Sequence, residues 1–204
     1  MSKPIYPQNS KLESAGFTLV ELMVTVAIMA IIAGLTFGNL NSTSYRLKTT
    51  AKTLKANMQK ARLLAVKENC PVYVDFDLDG GGTIDQFYAL WRDLNNSGTY
   101  DSGATPPELI EKIPLPGNIS FGTVANGDGG PAATPAGGAL PADGVGFPSD
   151  SVNKLRFSPQ GTSSNGNAYL YSPANDEAGS HAVGTNNIGR VRSSYFATEG
   201  DNWN

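Results

Sequence analysis

Residues 17–40 read FTLVELMVTVAIMAIIAGLTFGNL, and this stretch decides how the chain folds. It carries one charge, Glu21. As an α-helix rising 1.5 Å per residue it would be roughly 36 Å long, enough for a hydrocarbon layer of about 30 Å. Its two threonines, Thr18 and Thr25, are expected to bond back to helix carbonyls. The pattern is that of a membrane helix rather than a core helix. A secretory signal peptide fits badly, because the apolar run is too long and no A-x-A-like site ends it.

Outward from this stretch, the polar residues MSKPIYPQNSKLESAG come first and end in a glycine. Gly16-Phe17-Thr18-Leu19-Val20-Glu21-Leu22 resembles the processing signature of type IV pilins and type II secretion pseudopilins. The resemblance implies cleavage by prepilin peptidase between Gly16 and Phe17, followed by N-methylation of Phe17. It also implies a bacterial inner-membrane protein with a single pass and a periplasmic head, later built into a fibre with other pilins. The leader's Lys3 and Lys11 against Glu13 agree weakly with a cytoplasmic leader.

A carboxylate in hydrocarbon costs several kcal/mol and marks a functional position. Leader cleavage would create the counter-charge for Glu21, the amino group of Phe17. In a stack of such helices, Glu21 of one subunit would neutralise the amine of its neighbour and set the axial register. Gly34 and Gly38 form a G-x-x-x-G, either a close-packing face or two tolerated weak points in the helix. Gly38 stands where many major pilins carry a kinking proline.

From Thr43 to Lys67 the pattern becomes amphipathic. Leu47, Ala51, Leu54, Met58, Ala61 and Ala65 recur at helical spacing. Arg46, Lys48, Lys52, Lys55, Lys60, Arg62 and Lys67 follow one another with no acid between them. They read as a solvated face, as an attraction to anionic inner-membrane lipid, or as a contact with neighbouring heads. Pro71 stops the helix near Asn69 or Cys70.

Beyond Pro71 come short β-like runs: 72–76, 86–92, 109–114, 118–124, 154–158, 168–171 and 190–196. The expected fold is α+β, a long N-terminal helix packed on a small antiparallel β-sandwich-like head. Its parts are a leader at 1–16, an apolar assembly helix at 17–40, a basic helix at 41–70 and a head at 71–204. Residues 122–151, rich in glycine and proline, read as a flexible surface loop. From Glu68 onward sixteen Asp/Glu stand against six Lys/Arg, so an acidic head follows a basic stem.

Two loops repeat a pattern sixteen residues apart. Asp77, Asp79 and Asp85 surround Gly82 in the first; Asp93, Asn95, Ser97 and Asp101 surround Gly98 in the second. Hard oxygen ligands about a glycine turn are the arrangement of calcium loops. Asp and Asn also favour plain turns, and Tyr88 and Ala104 replace the bidentate Glu, so both readings stand. Ca²⁺ is the one candidate cofactor, and no metal site is fixed by the spacing.

Three further segments resemble the FimT/GspH class of minor pilins and pseudopilins: Ala61-Arg62-Leu63-Leu64-Ala65, Phe157 through Gly161, and Gly189-Arg190-Val191-Arg192. The second loop with Glu108-Leu109-Ile110 resembles that class's hairpin. In some members the last segment binds DNA, which makes Arg190 and Arg192 candidates against the alternative of solvated strand-end arginines. The net charge of −3 opposes a uniformly basic nucleic-acid binder. One cysteine, Cys70, and one histidine, His181, exclude an internal disulfide and any multi-His or multi-thiolate metal centre. Neither has a partner in a nucleophilic triad. A structural minor subunit that primes or caps a fibre, and not an enzyme, is the expected function.

Overall fold

The computed structural model describes residues 17–39, 43–125, 130–147, 153–175, 178–197 and 202–204, with backbone only for 34–39. It divides into two compact units, residues up to 41 and residues from 42. The leader, including Gly16, lies outside the described residues.

The first unit is α1 (Leu19–Asn39). Thr18 caps it: the Leu22 N–H reaches the Thr18 carbonyl at 3.2 Å. Only Thr25 bonds back to a helix carbonyl, that of Leu22 at 2.9 Å. Every described side chain from Phe17 to Ala33 is exposed. No helix among the described residues is long and apolar enough to cross a membrane.

The second unit is built on α2 (Thr43–Glu68). The anticipated stripe is its buried face, with Thr50 added, whose hydroxyl is satisfied by the Arg46 carbonyl at 2.9 Å. Asn69 takes a left-handed φ of 53°, the usual C-terminal stop, just ahead of Pro71.

Two antiparallel sheets follow. The first orders β3 (Leu109–Pro114), β2 (Phe87–Arg92), β1 (Val72–Asp75) and β6 (Lys154–Phe157). The second runs through β7 (Gly166–Tyr171), β8 (Ser180–Thr185) and β9 (Val191–Phe196). Two short strands, β4 (Ser120–Phe121) and β5 (Val145–Gly146), pair with successive parts of β7. Helix α2 packs on β1 and β6 of the first sheet and on β7, β8 and β9 of the second. One apolar stripe therefore closes the core for both.

The sequence missed β8 because SHAVGT offers neither alternation nor β-branched enrichment, although β8 lies between β7 and β9. The segment 122–151 also departs from expectation. Residues 126–129 and 148–151 lie outside the description, and part of the remainder is packed. Val145 and Phe147 are fully buried, and the Phe147 ring stacks on Phe76 at 5.9 Å. Gly144, at φ +80°, lies so close to the Gly122 backbone that a Cβ would strike it. Trp203 donates to the Ala133 carbonyl at 2.7 Å and packs on Tyr169 and Phe196.

A buried Phe truncated to Ala leaves a cavity worth about 3–5 kcal/mol. Phe147→Ala is expected to lose about that much stability in chemical denaturation, whereas a free loop would lose almost nothing.

Candidate functional site

The N-terminal motif is organised around Glu21. Its Oε2 accepts the Thr18 N–H and the Thr18 hydroxyl, each at 3.1 Å, while the Thr18 hydroxyl accepts the Glu21 N–H at 3.2 Å. This is a reciprocal capping box, T-x-x-E, which satisfies orphan donors at the start of α1. The three-residue spacing of Thr18 and Glu21 that marks such a box is present in the sequence itself. Both bonds use Oε2, so Oε1 is the oxygen left to face another group. Phe17, immediately before the cap, is 82% exposed.

The three segments that resembled one family meet at Arg62. Its Nε donates to the Gly161 carbonyl at 3.0 Å and its Nη2 to the Ile188 carbonyl at 3.4 Å. Gly189 sits in the same knot at φ +75°, against the Gly161 carbonyl, where no side chain fits. The Gly189 and Arg190 N–H groups are held by the carbonyl and side-chain oxygen of Asn186, at 2.8 and 2.9 Å. Stem helix, β6 turn and β8–β9 turn are thereby tied together. Arg190 and Arg192 themselves are exposed. Lys55 reaches the Ser193 hydroxyl at 3.4 Å, which brings a stem cation to the same strand.

The stem's basic run is partly spent on its own head. Besides Lys55 and Arg62, Lys60 pairs with Glu111 at 2.5 Å, and nearby Arg92 pairs with Glu68 at 2.9 Å. Exposed pairs of this kind are worth about 0–1 kcal/mol each. They orient the helix more than they stabilise it.

The two acidic loops differ. In the second, Asp93 Oδ1 and Oδ2 accept the Ser97 and Gly98 N–H groups at 2.9 and 2.8 Å. Asn95 also accepts from Ser97, at 3.0 Å, and Ser97 Oγ binds the Thr99 carbonyl at 3.0 Å. Glu108, buried, accepts the Leu94 and Asp101 N–H groups at 3.3 and 2.8 Å. It arrives three-dimensionally as a cap on this loop, which spacing alone could not show. The second loop is closed by its own backbone donors.

In the first loop the Gly82 N–H binds Asp77 Oδ2 at 2.8 Å and the Gly81 N–H binds Asp79 Oδ1 at 3.0 Å. Asp77 Oδ1 and Asp85 Oδ2 are buried with no donor. The neighbouring Asp75 is satisfied by Trp91 Nε1 at 3.0 Å and the Asp77 N–H at 3.1 Å, with Lys154 at 3.7 Å. Burial nevertheless holds its carboxyl above the usual range.

Cys70 is half-buried rather than a core residue, and burial raises its thiol pKa, the wrong direction for a nucleophile. Burial, then Lys48, pushes the His181 imidazole down to about 4. It is therefore neutral at pH 7, and its ring lies tilted by 39° against Tyr195, centroids 4.7 Å apart.

A family described as "Type II transport protein GspH" matches residues 50–189. A "Prokaryotic N-terminal methylation motif" matches residues 13–37. Pilin-like protein PilA1 of Thermus thermophilus is 31% identical over 88 residues, 43% of this chain. The chain spans about half the length of that relative, 54%. Among solved structures, the minor pseudopilin EpsH of Vibrio cholerae aligns at a TM-score of 0.45 and 10% identity, covering 74% of this chain and 97% of its own. The type IV minor pilin FimU of Pseudomonas aeruginosa aligns at 0.44 and 13%, covering 72% and 91%.

Hydrogen bonds from a charged group contribute about 1.5–3 kcal/mol. Arg62→Ala is expected to lower head stability by about 2 kcal/mol. Arg62→Lys should recover little, because a single ammonium cannot span two carbonyls as the guanidinium fork does. Denaturation midpoints for the pair check this; full rescue by Lys would contradict it.

Proposed function

The chain belongs to the type II transport protein GspH family, and from that membership we propose that it is a structural minor subunit of a type II secretion pseudopilus or a type IV pilus. One observation carries the reading: an apolar helix whose described side chains are exposed lies almost wholly within the matched N-terminal methylation motif, residues 13–37. Apolar surface of that extent calls for lipid or protein around it.

The proposed sequence of events uses this chain's own groups. Residues 17–40 insert in the bacterial inner membrane with the head in the periplasm. Prepilin peptidase cuts between Gly16 and Phe17, and the new amine of Phe17 is methylated. Glu21 keeps its Oε2 on Thr18 and offers Oε1 to the Phe17 ammonium of a neighbouring subunit. In a low-dielectric layer an unpaired carboxylate is costly, so the pairing selects one axial register. The subunit then leaves the lipid for a fibre of other pilins or pseudopilins, where it primes or caps assembly. Nothing in this role asks for catalysis by the chain itself.

A second reading rests on the exposed Arg190 and Arg192 with Lys55 beside them. Guanidinium groups suit phosphate oxygens, and such contacts weaken steeply with salt. In that reading the subunit grips DNA during uptake. A gel shift with the full chain in non-ionic detergent would be salt-dependent and lost in the Arg190→Ala/Arg192→Ala double variant. No shift, or one unchanged in that variant, removes DNA as a partner.

For the structural reading, Glu21→Gln is the informative change, because glutamine retains the capping box and removes the charge. Its abundance in sheared fibres, relative to total cellular protein, is expected to fall at least tenfold. Incorporation equal to the unaltered chain would overturn the assigned role of Glu21.

A further inference from the structure

The second sheet ends on β9, and the outer edge of that strand is only partly covered. Backbone groups along an antiparallel strand point alternately to one side and the other. Here both ends of the strand fix the alternation. The Arg190 carbonyl, just before β9, accepts the Asn186 N–H on the β8 side at 3.4 Å. The Tyr195 N–H and carbonyl turn the other way and pair with the carbonyl and N–H of Asn204, at 2.8 and 2.9 Å. Even-numbered residues therefore bond β8, and Val191, Ser193 and Tyr195 face outward. Asn204 meets Tyr195 as one residue of an added antiparallel strand would. Among the described residues nothing pairs with the outward backbone groups of Val191 and Ser193.

The side chains around this open stretch select what can join it. Arg190 and Arg192 are two residues apart and so share one face of the strand. Both are exposed, and neither has an acidic partner among the described residues. The other face looks toward α2, where the Val191 side chain packs on the core and Lys55 Nζ lies 3.4 Å from the Ser193 hydroxyl. On that face a groove of about 450 Å³ opens between α2 and β9, with Val191 on one wall and Leu63, 71% exposed, on the other. An unpaired edge is a template for another strand, and charges on it decide which strands are refused. A second copy of β9 would set arginine against arginine, which is destabilising. An acidic strand meets no such opposition. A nucleic acid would use the arginines but leave the outward N–H groups and the apolar groove idle.

We propose that the β9 edge from Val191 to Ser193 binds an extended segment of another polypeptide, alternately acidic and apolar, as an added antiparallel strand. Residues directly opposite each other in such a pair carry their side chains on the same face. The acidic residues of the segment therefore stand over Arg190 and Arg192. The apolar residues between them turn toward α2 and enter the groove beside Leu63. Their N–H and carbonyl groups meet those of Val191 and Ser193. Backbone bonds supply the attachment, and the alternate side chains supply the choice of partner. The proposal goes beyond the fibre role, since it needs neither α1 nor leader processing.

The probe is a short end-capped peptide of alternating glutamate and valine, titrated into the isotope-labelled full chain in non-ionic detergent and followed by amide NMR signals. Saturable shifts at Val191 and Ser193 are expected. A peptide with lysine in place of glutamate should bind at least tenfold more weakly. N-methylation of the valine amides, which face β9 in this register, should cost at least tenfold as well. N-methylation of the glutamate amides, which face solvent, should leave binding nearly unchanged. Ser193→Pro removes one outward donor at a sheet edge, where proline is tolerated, and should weaken binding at least tenfold. Should that variant disturb the fold, the two methylated peptides decide alone. Absence of a saturable shift would overturn the proposal, and so would equal binding of the valine-methylated peptide. A DNA duplex that shifts these signals where the acidic peptide does not would assign the edge to nucleic acid and overturn it likewise.

Discussion

Both sheets share one apolar partner, the α2 stripe of Leu47, Leu54, Met58 and the alanines between and after them. Burying a Leu or Met side chain is worth about 1.5–3 kcal/mol, and these three are fully buried. The small alanines let strands from two sheets approach the helix closely. Without the stripe, neither the β1–β6 pair nor the β7–β9 meander would have a surface to close on. The knot at Arg62 then fixes where along the helix the turns dock, since one guanidinium holds carbonyls of two different turns.

The same constraint, read one helix earlier, gives the opposite result. Helix α1 is rich in apolar residues, and its described side chains are exposed. A stem that stabilises its own head and a preceding helix with exposed apolar side chains suit the proposed role of a fibre subunit. Glu21 connects the two requirements. It caps α1 through Thr18 inside one chain, and in the proposed role its other oxygen meets a neighbour.

Much of this was legible beforehand, and the reasons for the rest are physical. Periodicity exposed the α2 stripe because a helix face repeats every three or four residues whatever lies opposite. Strands β1, β2, β3, β6 and β9 were visible within a residue or two, since apolar and polar residues cluster between turn signals. Strand β8 was not, because burial and neighbours made a strand of SHAVGT where propensity is weak. Phe147 and Trp203 were hidden for a similar reason: long-range packing anchors a glycine-rich segment that locally reads as loop. The spacing of Glu108 from Asp93 and Asp101 disguised its role, since the residues between them place it only in three dimensions. The Arg62 knot was present as three separate resemblances, and only the fold showed that they touch.

The account stands or falls on what becomes of the residue at the head of α1. Intact-mass and N-terminal analysis of the protein recovered from the membranes of its native host tests this most directly. The account predicts a chain that begins at Phe17 and carries one methyl group on its amine. A chain that still bears residues 1–16, or one that starts at any other position, would contradict it.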